Sequence, residues 1–210
     1  MSAPSPRVLV LGVGNVLWAD EGFGVRCVEA FDAQYATGPT VEVMDGGTQG
    51  LYLVHHIGAV DHLLVFDAVD FGAPPGTLVT VRDDEVPRFI ASSKMSLHQA
   101  GVADVLACAD LLGRKPARIT VIGAQPVELE DYGGSLTPAV RALVEPALAL
   151  AVQELRDWDV PVVRRARPLP QLMPRGLDLM SYESGRPSAE AACRHGDARV
   201  LRLAETVVDD

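Results

Sequence analysis

Short apolar runs that end in glycine or acidic residues and alternate with helix-spaced stripes constrain this chain more than any other feature. Val8–Val13 is one such run and leads into Gly14-Asn15, as a buried strand entering a tight turn does. Val25, Val28, Phe31 and Tyr35 then recur at helical spacing. Val41-Glu42-Val43-Met44 predicts a second strand, ending at Asp45-Gly46-Gly47-Thr48, with a short helix over residues 51–56. Residues 62–68 predict a third strand, apolar on both faces through Leu63, Leu64, Val65 and Phe66. Residues 77–81 alternate and predict a strand nearer an edge, and residues 118–123 predict a fifth. Ser96-Leu97-His98-Gln99 has the form of a capping box ahead of a stripe through Val102, Val105, Leu106 and Ala109. Thr137-Pro138 puts a capping hydroxyl before a proline at the first helical position, ahead of a stripe from Val140 to Leu155. This order predicts an α/β fold, with a mostly parallel sheet of about five strands covered by helices on both faces.

Composition narrows the class. A chain of 210 residues is one ordinary domain with room for a tail. The boundary is expected at Trp158: residues 1–158 form the domain, and residues 159–210 a loosely ordered Pro/Arg-rich extension. The net charge of −10 sits in the first part, where 10 Lys and Arg face 20 Asp and Glu through residue 158. That balance argues against a nucleic-acid partner. No apolar stretch reaches the ~18 residues of a membrane span. No signal peptide is visible at the N-terminus, so the cytoplasm is the expected location. Cys27, Cys108 and Cys193 are far apart and odd in number, which fits reduced thiols better than a disulfide framework.

In open α/β sheets, ligands bind beyond the carboxyl ends of the strands. Asn15, Asp20 and Glu21 follow the first strand, Asp45 ends the second, Asp67 and Asp70 end the third, and His98 opens a later helix. The first loop is not a dinucleotide fingerprint. Leu17 stands where a third glycine is needed, and Asp20 and Glu21 would repel a phosphate. His98, near a helix N-terminus, is held neutral, the metal-binding form of imidazole. Asp67 ends an apolar strand, so its carboxylate needs a cation, several donors or a raised pKa. Each residue also has a plain structural reading. His98 fits a packing role, Asp67 a tie to the backbone amides of the next loop, and Glu21 a helix N-terminus. Together, Glu21, Asp67 and His98 make a three-ligand set with open positions. His55 and His56, about 100° apart on a helix, do not suit one metal. No G-x-S-x-G motif supports a serine hydrolase.

The collinear motifs resemble one family. Val10-Leu11-Gly12-Val13-Gly14-Asn15-Val16-Leu17 with Asp20-Glu21-Gly22-Phe23-Gly24-Val25 resembles the opening of the nickel–iron hydrogenase maturation proteases. Asp45-Gly46-Gly47-Thr48-Gln49-Gly50, Asp67-Ala68, Ser96-Leu97-His98-Gln99 and Leu136-Thr137-Pro138 match its later motifs, over roughly residues 7 to 157. The resemblance implies a three-layer αβα sandwich, phosphorylase/hydrolase-like, and an aspartyl-type or metal-dependent endopeptidase. Glu21, Asp67 and His98 become its catalytic and metal-binding trio. Asn15, Asp45, Gly46, Gly47 and Thr48 become its substrate-binding residues. The implied substrate is the nickel-loaded precursor of a hydrogenase large subunit, which supplies the nickel and loses a C-terminal extension. The first loop looks closest to proteases serving uptake-type, membrane-associated hydrogenases, and a monomer is the expected state. Two rivals remain. A non-enzymatic nickel-precursor chaperone would leave the precursor's mass unchanged. A nucleotide- or flavin-binding module would carry a chromophore or be stabilised by nucleotide.

Overall fold

The apolar run at residues 62–68 becomes the middle of a sheet. The computed structural model describes residues 5–92, 94–95, 102–169 and 176–186. In chain order the elements begin with β1 (Val8–Val13), α1 (Phe23–Gln34), β2 (Tyr35–Thr37), β3 (Val41–Gly47) and α2 (Val54–Ile57). They continue with β4 (His62–Asp70), β5 (Leu78–Arg82), α3 (Val86–Ser92), β6 (Lys94–Met95) and α4 (Val102–Leu111). The last are β7 (Arg118–Ala124), α5 (Pro138–Arg141), α6 (Val144–Asp157), β8 (Val162–Arg164) and α7 (Leu179–Gly185).

The main sheet runs β3-β1-β4-β7-β5, with β6 paired to the end of β4. The first four strands are mutually parallel and β5 is antiparallel on the edge. Alternating side chains of each strand feed two cores, as the two-residue period of a strand requires. Val8, Val10, Leu64, Phe66 and Ile122 pack with Phe23, Val28 and Phe31 of α1 and with Leu148, Ala151 and Leu155 of α6. Leu9, Leu11, Leu63, Val65 and Val121 pack with Leu53, Ile57, Val86, Ile90, Val105 and Ala109 on the other face. This is the expected three-layer arrangement. Because the central strands are covered on both faces, they are apolar without interruption.

Three local expectations shift. Strand β4 runs on to Asp70, so Asp67 lies inside the strand, in register with Gly123 of β7. The last stripe divides into α5 and α6, because Pro146 must fall in a first helical turn. A proline deeper in a continuous helix would clash with the carbonyl four residues earlier. Tyr35 leaves α1 to open β2, and its ring stacks on Phe31 at 5.3 Å.

The boundary placed at residue 158 does not interrupt the packing. Trp158, Val160 and Val162 are buried in the same core as α1 and α6. Strand β8 pairs antiparallel with β2. Among the described residues, no helix is long and apolar enough to cross a membrane.

Candidate active site

The strand order reverses between β1 and β4: the chain passes from β1 outward to β3, then crosses to β4 on the other side. A crevice opens at such a switch point. Helix α1 enters it. A Cβ on Gly24 would lie 2.2 Å from both the Val13 and the Phe66 carbonyl oxygens, so only glycine lets the helix start seat between the two strand ends. Gly12 makes the matching approach, since its Cβ would meet the Gly24 carbonyl at 2.3 Å. The loop between them folds back on itself: Gly14, at φ +139, packs against the Glu21 carbonyl.

This loop carries Asp20 and Glu21, both buried. Asp20 is fully committed. One of its oxygens accepts from the Val127 and Glu128 amides at 2.9 and 3.0 Å and from the Thr137 hydroxyl at 3.0 Å. The other accepts from the Thr137 amide at 2.7 Å. The Thr137 hydroxyl predicted to cap its own helix serves Asp20 instead. The clamp ties the first loop to the segment after β7, and it holds Ala19 at φ +43, a conformation costly for a residue with a Cβ.

Asp20 is thus committed to the segment after β7, and its neighbour Glu21 lies close enough to Asp67 for its charge to act there. Asp67 is 1% exposed, and neither of its carboxylate oxygens has a hydrogen-bond partner among the described residues. Burial pushes its pKa well above the usual carboxylate value; the nearby Ala68 amide offsets part of the rise, and the charge of Glu21 adds to it. A carboxylate in that state either keeps a proton or receives a cation. His98 lies outside the described residues. Among the described residues no three His, Cys, Asp or Glu side chains form a metal-holding group. The His55 and His56 rings meet edge-on at 5.9 Å.

The predicted substrate-binding residues gather beside this crevice. Asn15, Asp45, Gly47 and Thr48 line one cavity of about 190 Å³, together with Val16, Val25 and Leu177. The Asn15 side chain accepts from the Leu17 amide at 3.0 Å and shapes the turn. Asp45 accepts from the Gly47 amide at 2.8 Å. Burial raises the Asp45 pKa, while the Gly47 amide and the Arg26 guanidinium pull it back. Gly46 is buried beneath, where a Cβ would meet the Leu11 side chain at 2.7 Å.

A family model described as hydrogenase maturation protease matches residues 25–154. The chain is 56% identical to hydrogenase expression/formation protein HupD of Rhodobacter capsulatus, over 96% of each chain. It belongs to the hydrogenase maturation proteases. It is accordingly a peptidase. Hydrogenase expression/formation protein HupM of Azotobacter chroococcum is 54% identical, again over 96% of each. The solved hydrogenase maturating endopeptidase HybD from E. coli is 42% identical, covering 76% of this chain and 98% of its own, with a TM-score of 0.71. About a quarter of the present maturation protease therefore has no counterpart in that structure.

Sequence reasoning missed two residues of the site. Asp20 entered it only as negative charge; that two neighbouring carboxylates on one tight loop cannot both face the crevice was the available signal. Arg26 was also missed. It is 4% exposed, inside the apolar run of α1. A buried arginine among such neighbours announces partners elsewhere in the chain.

Proposed function

We propose that this protease removes a C-terminal extension from the precursor of a nickel–iron hydrogenase large subunit, and that nickel already bound to the precursor is its recognition signal. The observation that carries this reading is Asp67: a buried carboxylate without a hydrogen-bond partner among the described residues, beside Glu21 in the switch-point crevice. Such a site favours an arriving divalent cation. The cation displaces the Asp67 proton and relieves the repulsion with Glu21. Glu21, Asp67 and His98 contact the nickel, which the substrate brings, and the scissile peptide lies alongside. Water adds across that bond, its oxygen to the carbonyl carbon and a proton to the leaving nitrogen. A carboxylate of the pair is suited to take the water's other proton. Asn15, Asp45, Gly46, Gly47 and Thr48 receive the precursor's polypeptide. The first loop favours an uptake-type, membrane-associated hydrogenase as the source of that precursor.

The test is mass spectrometry of precursor mixed with the protease. Nickel-loaded precursor loses its extension with the wild type and persists with Asp67→Asn and His98→Ala. Wild-type rates in both variants would sink the trio. Equally fast processing of nickel-free precursor would remove nickel from recognition, and a precursor of unchanged mass would favour a chaperone.

A further inference from the structure

Residues beyond 154 lie outside the family match, yet one described part of them reaches the substrate cavity. Leu177 lines it together with Asn15, Val16, Val25 and Asp45, although 151 residues separate it from Arg26 of α1, just past the first loop. It is held there from below. The Arg26 guanidinium donates to the Leu177 carbonyl at 2.6 Å and to Glu29 at 3.0 Å, and it lies 5.7 Å from the centre of the Tyr182 ring. The rest of the segment is anchored independently. Asp178 caps α7 by accepting from the Ser181 amide at 2.9 Å. Glu183 accepts from the Ser135 hydroxyl and pairs with Arg141, and the Tyr182 hydroxyl donates to the Gly134 carbonyl. These ties fix Leu177 relative to the loop that carries Asp20 and Glu21, because residues 134–141 also belong to the Asp20 clamp through Thr137.

The chemistry of the cavity is specific. Val16, Leu17, Val25 and Leu177 supply apolar wall, and among the described residues Asp45 is the one ionisable residue lining it. At about 190 Å³ it has room for a side chain, well below the volume of an ordinary small-molecule pocket. We infer that Leu177, positioned by Arg26, is a specificity-determining residue that closes the substrate cavity over an aliphatic side chain of the precursor. The inference rests on the function proposed above and adds to it a wall drawn from the C-terminal part of the chain.

Steady-state cleavage of nickel-loaded precursor by the full-length protease tests it, with wild type, Leu177→Trp, Leu177→Asp and Leu177→Met compared. Tryptophan fills the cavity and aspartate sets a second charge against Asp45, so each raises KM by about tenfold while kcat stays within about twofold. Methionine keeps an apolar wall and returns KM to the wild-type value. Leu177 is 37% exposed, so the thermal midpoints should stay together, and the aspartate variant decides if the tryptophan variant proves unstable. Wild-type KM in both the tryptophan and aspartate variants overturns the inference and leaves the proposed function standing. A wild-type protein that does not cleave the precursor overturns the proposed function, and this inference with it.

Discussion

Two aspartates flank the same crevice, equally hidden and oppositely treated. Asp20, in the loop after β1, is 0% exposed and accepts four hydrogen bonds. Asp67, inside β4, is 1% exposed and accepts none among the described residues. Burying a carboxylate without partners costs free energy that a fold has no structural reason to bear. The satisfied aspartate holds the site's shape. Asp67, without a partner among the described residues, is the one that the proposed function assigns to the chemistry.

Breaking the satisfied side should cost the most stability. Asp20→Ala strands the Val127, Glu128 and Thr137 amides and releases the strained Ala19, with an expected loss of about 3–5 kcal/mol by urea unfolding. A loss below about 1 kcal/mol would mean the clamp is replaceable by water.

The other aspartate should behave in the reverse sense. Asp67→Asn removes a buried ionisable group that has no hydrogen-bond partner among the described residues, so the variant is expected to gain about 1–3 kcal/mol at neutral pH. Under the function proposed above, cleavage of nickel-loaded precursor is expected to fall by about a hundredfold or more in the same protein, as loss of charge stabilisation at a reacting centre does. A variant both less stable and fully active contradicts the comparison.

The stability gain should also depend on pH. The native state binds the Asp67 proton more tightly than the unfolded chain, whose carboxyl titrates near 3.8. Native stability from this group is therefore complete below that value and is lost as the pH rises through the higher native pKa. The advantage of Asp67→Asn is thus greatest at neutral pH and shrinks as the pH approaches 3.8. A pH-independent difference between the two proteins would dismiss burial as the cause.

The smallest effect sharpens the account of the clamp. Thr137→Val deletes one of the four bonds to Asp20 and leaves the Thr137 amide in place, for a cost of about 1 kcal/mol. A double-mutant cycle with Asp20→Ala should then show the threonine effect vanish, because both act on one network.

Much of this was legible from residue order. Continuous apolar runs interrupted by helix-period stripes lead to a parallel sheet with two covered faces. Polar residues after those runs then fall at one edge by the topology alone. Glu21, Asp67 and Asp45 were read as candidates that way, because strand ends are local features with a fixed geometric consequence. His98 came from the same reasoning and lies outside the described residues. The split of the last helix was readable at Pro146. The expectation of loose order over residues 159–210 rested on proline and arginine content, which measures local preference; residues 170–175 and 187–210 of that span lie outside the described residues. Val160 and Val162 are buried by contacts with α1 and α6, elements distant in the chain.

By itself, then, the sequence determined the layered fold, the family and the loops from which the site is built, because periodicity and motif spacing act over a few residues. Only the tertiary structure decided which of two adjacent carboxylates is spent on the backbone and which lies close enough to Asp67 for its charge to act there. It alone seated Leu177 against Asn15 and Asp45. Those outcomes depend on hydrogen bonds spanning more than a hundred residues, such as Asp20 to Thr137 and Arg26 to Leu177, and no local pattern encodes the partner at such a separation.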